Sequence, residues 1–155
     1  MRQTARVRIS AKEDYAVRAA LELAIAKGRP VTREQIAQAQ EIPTAFLQNI
    51  LMELRHAEIV EAQRGRDGGF RLARPAAEIT VADVIRAVSG PLATVRGVRP
   101  PAVDYSPSAE PLKEVWVALR ATIRTILERV TLADLAASRL PAVVKKLAAD
   151  PENWE

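Results

Sequence analysis

Pro43 restricts this chain more than any other residue. It stands between two stretches with helical apolar spacing, "PVTREQIAQAQEIP" and "TAFLQNILMELRHAEIV". A proline inside a helix removes a backbone donor, clashes with the preceding turn and pushes its predecessor out of helical geometry. Upstream, Thr32 and Gln35 have the T-x-x-Q spacing of a capping box, which predicts a short helix ending before the proline. Downstream, Phe46, Leu47, Ile50, Leu51 and Leu54 recur at helical spacing and are expected to face inward. That leaves Thr44, Ala45, Gln48, Asn49, Met52 and Arg55 on the outer face. Two short helices around a tight turn, the second with a small and amide-rich outer face, match a helix-turn-helix. Gln48 and Asn49 suit a reading role because an amide can bond an adenine edge at two points, and Ala45 admits a thymine methyl.

The segment that follows gives this pattern a direction. "EIVEAQRGRDGGFRLARP" reads as a strand over 59–63, a glycine turn, and a second strand over 69–73. Directly after a candidate recognition helix, such a hairpin is the wing of a winged helix. Gly65, Gly68 and Gly69 allow a sharp tip and a close backbone approach. Arg64, Arg66 and Arg71 supply cations for phosphates or a narrow minor groove, with Asp67 among them. Phe70 is expected to anchor the hairpin to the core.

Other elements frame this unit. "SAKEDYAVRAALELAIAKG" predicts a helix over 10–27, capped by Ser10, favoured by Glu13 and Asp14 in its first turn and stopped by Gly28. Its buried stripe is expected to be Val17, Ala20, Leu21, Ala24 and Ile25. "EITVADVIRAVSGPL" starts another helix at Thr80 and Asp83, with Val84, Ile85 and Val88 as its apolar side and Gly90 and Pro91 as its stop. A proline-rich connector leads to the longest predicted helix. Along that helix Leu112, Trp116, Leu119, Ile123, Ile126 and Val130 alternate by four and three, a heptad seam suited to pairing with a second copy. The fold class is therefore mainly α: a winged helix-turn-helix domain plus a long C-terminal dimerisation helix. The expected organisation is a basic extension over 1–9, the winged domain over 10–91, a connector over 92–111, the dimerisation helix over 112–138 and a tail over 139–155.

Composition narrows the functions. The chain has no cysteine and one histidine, which excludes disulfides, thiolate-bound zinc and a conventional cysteine-ligated iron–sulfur cluster. No metal or other cofactor is expected. No apolar run approaches the roughly 18 residues that span a membrane, and the start has no signal-peptide segment, so a cytoplasmic location is expected. The net charge of +4 is unevenly placed: residues 1–76 hold 13 Lys and Arg against 9 Asp and Glu, while residues 77–155 hold 10 of each. The cationic half is the one with the helix-turn-helix and hairpin, which points to a polyanion partner, double-stranded DNA. Carboxylate pairs such as Glu13 with Asp14, or Asp134 near Glu128, show no convergence with a base, nucleophile and oxyanion donors, so no enzyme is expected. His56, ending the recognition helix, reads as a helix C-terminal cation or a backbone contact. A dimeric module that docks a metabolic enzyme is the alternative that the neutral half permits.

Together, "RISAKEDYAVRAALELA", the run from "IAQAQEIP" through "GGFRLARP", "EITVADVIRAVSGPL" and "VWVALRATIRTILERVTLADLA" resemble the Rrf2 family of bacterial transcription regulators over about residues 8–138. The resemblance implies a homodimeric winged-helix regulator, usually a repressor, on a pseudo-palindromic operator. It also implies DNA-facing roles for Ser10 and Lys12 at the first helix, for Ala45, Phe46, Gln48 and Asn49, and for Arg64, Gly65, Arg66, Asp67, Gly68, Gly69 and Arg71 in the wing. At Phe46 it conflicts with the periodicity, placing the side chain at the groove edge. Family members that hold a cluster carry three cysteines between the "GPL" turn and the dimerisation helix. This chain has none there, and so is similar to the cysteine-free branch, in which a metabolite or a partner enzyme supplies the signal. The connector residues Arg96, Arg99, Asp104 and Tyr105 are where an effector would act, or else they pin the loop to the DNA-binding domain.

Overall fold

A computed structural model describes residues 8–155. Arg2 and Arg6, read above as part of a basic extension, lie outside the described residues. The first helix, α1 (Ala11–Ile25), begins with a reciprocal cap. The Glu13 amide donates to Ser10 Oγ at 3.1 Å, and the Ser10 amide donates to the Glu13 carboxylate at 2.9 Å. Its buried side is Ala16, Ala19, Ala20, Leu23 and Ala24. The expected stripe is thus rotated: Ile25 is 50% exposed, and Val17 and Leu21 are only partly covered. Apolar spacing gives weight to large side chains, whereas α1 crosses the centre of the domain, where only alanines let neighbouring helices come close.

α2 (Arg33–Gln40) opens on the Thr32–Gln35 capping box and stops at Glu41, which is in the left-handed conformation at φ 52°. Ile42 is buried and returns its amide to the Ala37 carbonyl at 3.0 Å, and Pro43 then launches α3 (Thr44–His56). Leu47, Ile50, Leu51 and Leu54 are buried against α1 and the following helix. Phe46 is not: it is 58% exposed, so the periodic assignment inward fails at this residue. It lies in the first turn of α3, at the rim of the apolar stripe, where its ring is tilted against that of Tyr15 at a centroid distance of 6.2 Å.

β1 (Val60–Gln63) and β2 (Gly69–Leu72) pair antiparallel, with Val60 opposite Leu72 and Gln63 opposite Gly69. Val31, just before α2, bridges to the other edge of β2: its amide donates to the Phe70 carbonyl and the Phe70 amide donates back, both at 2.8 Å. This fixes the hairpin to the helix-turn-helix. Gly69 is required here, since a Cβ at its φ of +154° would stand 2.7 Å from the Val31 backbone. α4 (Val81–Ser89) repeats the capping box at Thr80 and Asp83 and buries Ala82, Val84, Ile85 and Val88.

α5 (Pro111–Leu127) follows the connector. The sequence reading carried one helical segment over 112–138, but the structure breaks it after Leu127. Thr131 and Asp134 form another reciprocal cap and start α6 (Leu132–Ala136); this T-x-x-D signal is local and overrides the heptad spacing. The break lets the chain return to the winged domain. The Val81 amide donates to the Val130 carbonyl, the Leu132 amide donates to the Ile79 carbonyl, each at 2.9 Å, and Leu132 enters the same apolar cluster as Leu23 and Leu47. Val130, expected on a dimer seam, is buried at this junction. α7 (Ala142–Ala148) and a terminal 3-10 turn (Pro151–Trp154) pack on each other.

Candidate nucleic-acid interface

Fixing the hairpin on Val31 brings it beside the outer face of α3. Between them runs a groove of about 470 Å³, with Gln48, Met52 and Arg55 on one side, Gln63, Gly65, Gly68 and Gly69 on the other, and Thr32 and Arg33 at its end. Recognition helix and wing therefore share one surface. Thr44, Ala45, Phe46, Gln48, Asn49 and Arg55 are exposed along α3, and Arg64, Gly65, Arg66 and Asp67 are exposed at the wing tip. Gly68 is enclosed in the turn, where a Cβ would meet the Gln63 carbonyl oxygen at 2.2 Å.

The cations on this surface are not equivalent. Among the described residues, Arg55, Arg64 and Arg66 enter no ion pair, whereas Arg71 is bonded to Glu61, its cross-strand neighbour. Arg71 is thus paired within the wing, whereas its sequence position implied a free cation. Ser10 is occupied in capping α1, and Lys12 bridges to Glu53 on α3 at 2.9 Å, holding the two helices together beside Phe46 and Asn49.

Sequence reasoning missed Arg33. Its guanidinium donates to Gln48 Oε1 at 3.1 Å and to Glu34 at 3.1 Å. The Glu34 carboxyl is held below the ordinary glutamate range, first by its own backbone amide and then by Arg33. One signal was available: a cation in the first position of a helix opposes the macrodipole, so its presence asked for a reason.

The carboxylates considered for catalysis have other uses. Glu13 and Asp134 cap helices, and Asp14 pairs with Arg18 at 2.9 Å. Glu128 joins Arg124, at 2.9 Å, and Arg86, tying α5 to α4. Bonds from Arg124 and then Arg86 hold its carboxyl below the ordinary range.

The heptad residues divide. None of α5 is fully buried; Leu112 is 42% and Val115 54% exposed, and half-covered Leu119 and Ile126 continue that flank. Ile123 turns inward onto Ala82, Ile85 and Leu92. Trp116 also turns away, its indole N–H donating to the Tyr105 hydroxyl at 2.9 Å, while Arg96 lies over the Tyr105 ring. The connector is thus bonded to α5 through Tyr105, which Arg96 of the same connector covers, while Leu92 at its start is buried against Ala82 and Ile85 of the winged domain.

A helix-turn-helix with a hairpin wing on the same face, in a mainly helical chain, defines a winged-helix DNA-binding transcriptional regulator. Residues 9–138 match the family model Rrf2, described as an iron-dependent transcriptional regulator, and the chain belongs to the Rrf2 family. It is 48% identical over 145 residues to a protein of Mycobacterium tuberculosis strain H37Rv described as an HTH-type transcriptional regulator, Rv1287, covering 93% of this chain and 90% of that one. It is 32% identical over 131 residues to the HTH-type transcriptional regulator CymR of Bacillus subtilis, covering 84% and 90%. The solved structure of that protein, titled the global cysteine regulator of B. subtilis, superposes with a TM-score of 0.71 over 86% of this chain and 98% of the other. IscR of T. potens gives a TM-score of 0.69 at 32% identity, over 85% and 88%. These relatives are transcriptional regulators, not enzymes. The iron in the family description finds no fitting donors in this chain: there is no cysteine, one histidine, and among the described residues no group of three or more His, Asp or Glu side chains able to hold a metal ion. Among the described residues no helix is long and apolar enough to cross a membrane.

Proposed function

We propose that the protein is a homodimeric repressor that binds a pseudo-palindromic operator and works without an iron–sulfur cluster. The observation that carries this reading is the single groove shared by Gln48, Arg55 and the glycine wing. In the proposed complex Ala45, Phe46, Gln48 and Asn49 meet base edges in the major groove, while Arg64 and Arg66 neutralise phosphates or enter the adjacent minor groove. Pairing through the open flank of α5 supports two-fold placement of these surfaces, with half-sites about 34–36 Å apart. A 17-residue helix that buries none of its residues in one chain favours a second copy as its cover. Thiolate ligation is chemically impossible here, so a metabolite or partner enzyme acting on the connector is the signal we favour, in the bacterial cytoplasm.

The test is salt-dependent binding on a selected genomic site and on random DNA. Arg66→Ala is expected to weaken both and to lower the slope of log K against log salt by about 0.9 per phosphate contact, so about 1.8 for two wings. Gln48→Ala is expected to relax discrimination at one or two base pairs per half-site, costing about 1–3 kcal/mol on the correct sequence only. Equal losses on both DNAs from both variants would remove the base-reading assignment.

A further inference from the structure

Gln48 does not project from α3 as a free amide. Its Oε1 accepts a bond from Arg33 Nη1 at 3.1 Å, and Arg33 is itself held by Glu34 at 3.1 Å. A guanidinium has only donors, so the carboxamide atom facing Arg33 is the oxygen and the Nε2 amide is the end left over. Among the described residues Nε2 has no partner, and Gln48 is exposed on the groove between α3 and the wing. A free glutamine reads adenine because Oε1 accepts from N6 while Nε2 donates to N7. With the oxygen turned back toward α2 and one of its two acceptor sites taken, the donating end is the one presented to the groove. The base edge that accepts at two adjacent atoms is guanine, through O6 and N7; adenine sets its own N6 donor against the amide.

We propose that Arg33 is a specificity-determining positioning residue: it orients the Gln48 carboxamide so that the recognition helix reads guanine where an unrestrained glutamine would read adenine. This rests on the operator-binding reading above. Arg33 need not touch DNA to act in this way.

Sequence selection from a random-duplex library, followed by fluorescence anisotropy on single-base operator variants, tests it with the full-length protein. The base pair read by Gln48 is the one at which Gln48→Ala loses discrimination. Wild type is expected to select guanine there over adenine by roughly tenfold or more, the range of a good two-bond contact. Arg33→Ala is expected to shift that one position toward adenine and leave the other positions unchanged; Arg33→Lys, which keeps a donor, is expected to retain part of the guanine preference. Both substitutions are on a partly exposed side chain, and circular dichroism checks that the folds match. Adenine selected by wild type would overturn the proposal. An unchanged preference in Arg33→Ala would overturn it too, as would a uniform loss on all sequences, which would make Arg33 a phosphate contact. If wild type enriches no sequence at all, the operator reading itself falls, an outcome distinct from a selected site with the wrong base.

Discussion

Gly69→Ala separates the wing's anchoring from its flexibility. An added Cβ would stand 2.7 Å from the carbonyl carbon and oxygen of Val31 and 3.0 Å from its nitrogen, where unstrained carbon contacts need about 3.5 Å or more. All three are backbone atoms, so the clash is relieved only by moving β2 away from Val31. That movement breaks the two 2.8 Å bonds between Val31 and Phe70, worth about 1 kcal/mol each. The φ of +154° adds a conformational cost for a residue with a side chain, about 1–2 kcal/mol. The expected loss is therefore about 3–4 kcal/mol. Gly65→Ala is the control: its φ is +113°, yet nothing lies within 4 Å of the added Cβ, so only the conformational cost of about 1–2 kcal/mol applies. The difference of about 2 kcal/mol, or about 4–8 °C in Tm for a chain of this size, measures the wing's attachment. Urea unfolding followed by circular dichroism gives the energies, and amide exchange at Val31 and Phe70 locates them. Equal destabilisation by the two substitutions would refute the close approach and, with it, the account of how the wing is held beside α3.

Two further outcomes follow from the interface between α4 and α5 and from the open flank of α5. The Glu128 carboxyl titrates below its ordinary value of 4.5 because Arg124 and Arg86 bind its charged form. A depressed folded pKa contributes stability above the unfolded value and loses it as pH falls through the folded one. The stability gap between wild type and Glu128→Gln is thus expected to be full at neutral pH and to shrink on acidification below about pH 4.5; a gap independent of pH in urea titrations would remove the ion cluster from the account. Val115→Glu places a charge on a flank that is 54% exposed in one chain. It is expected to shift sedimentation from dimer to monomer without altering helical content, whereas an unchanged dimer would put the pairing surface elsewhere.

Much of this molecule was legible from local chemistry. Ser10 with Glu13, Thr32 with Gln35 and Thr80 with Asp83 each mark a helix start, because a cap is satisfied within four residues and owes nothing to the rest of the fold. Pro43 ends one helix and begins another for the same reason, and Gly68 marks the turn of the wing through the backbone of its own loop. Legibility stopped where a residue's role depended on what crossed it. The buried side of α1 is set by alanines under other helices, which periodicity undervalues against Val17, Leu21 and Ile25. Phe46 has helical spacing but sits at the rim of the stripe beside Tyr15, so it stays exposed. Val130 continues a heptad on paper, yet pairing of Thr131 with Thr80 and the bonds to Ile79 and Val81 draw it, with Leu132, back into the winged domain. Arg33 was invisible as a functional residue because its partner is 15 positions away, on a helix whose distance and angle come from the packing of Ile36, Leu47 and Leu51. Sequence alone determined the capped helices of the winged unit and where they start, since those follow from bonds made within a few residues, and it determined which half carries the charge. Only the tertiary structure decided which of these surfaces meet, because contact between distant segments is settled by how side-chain volumes fill the core between them.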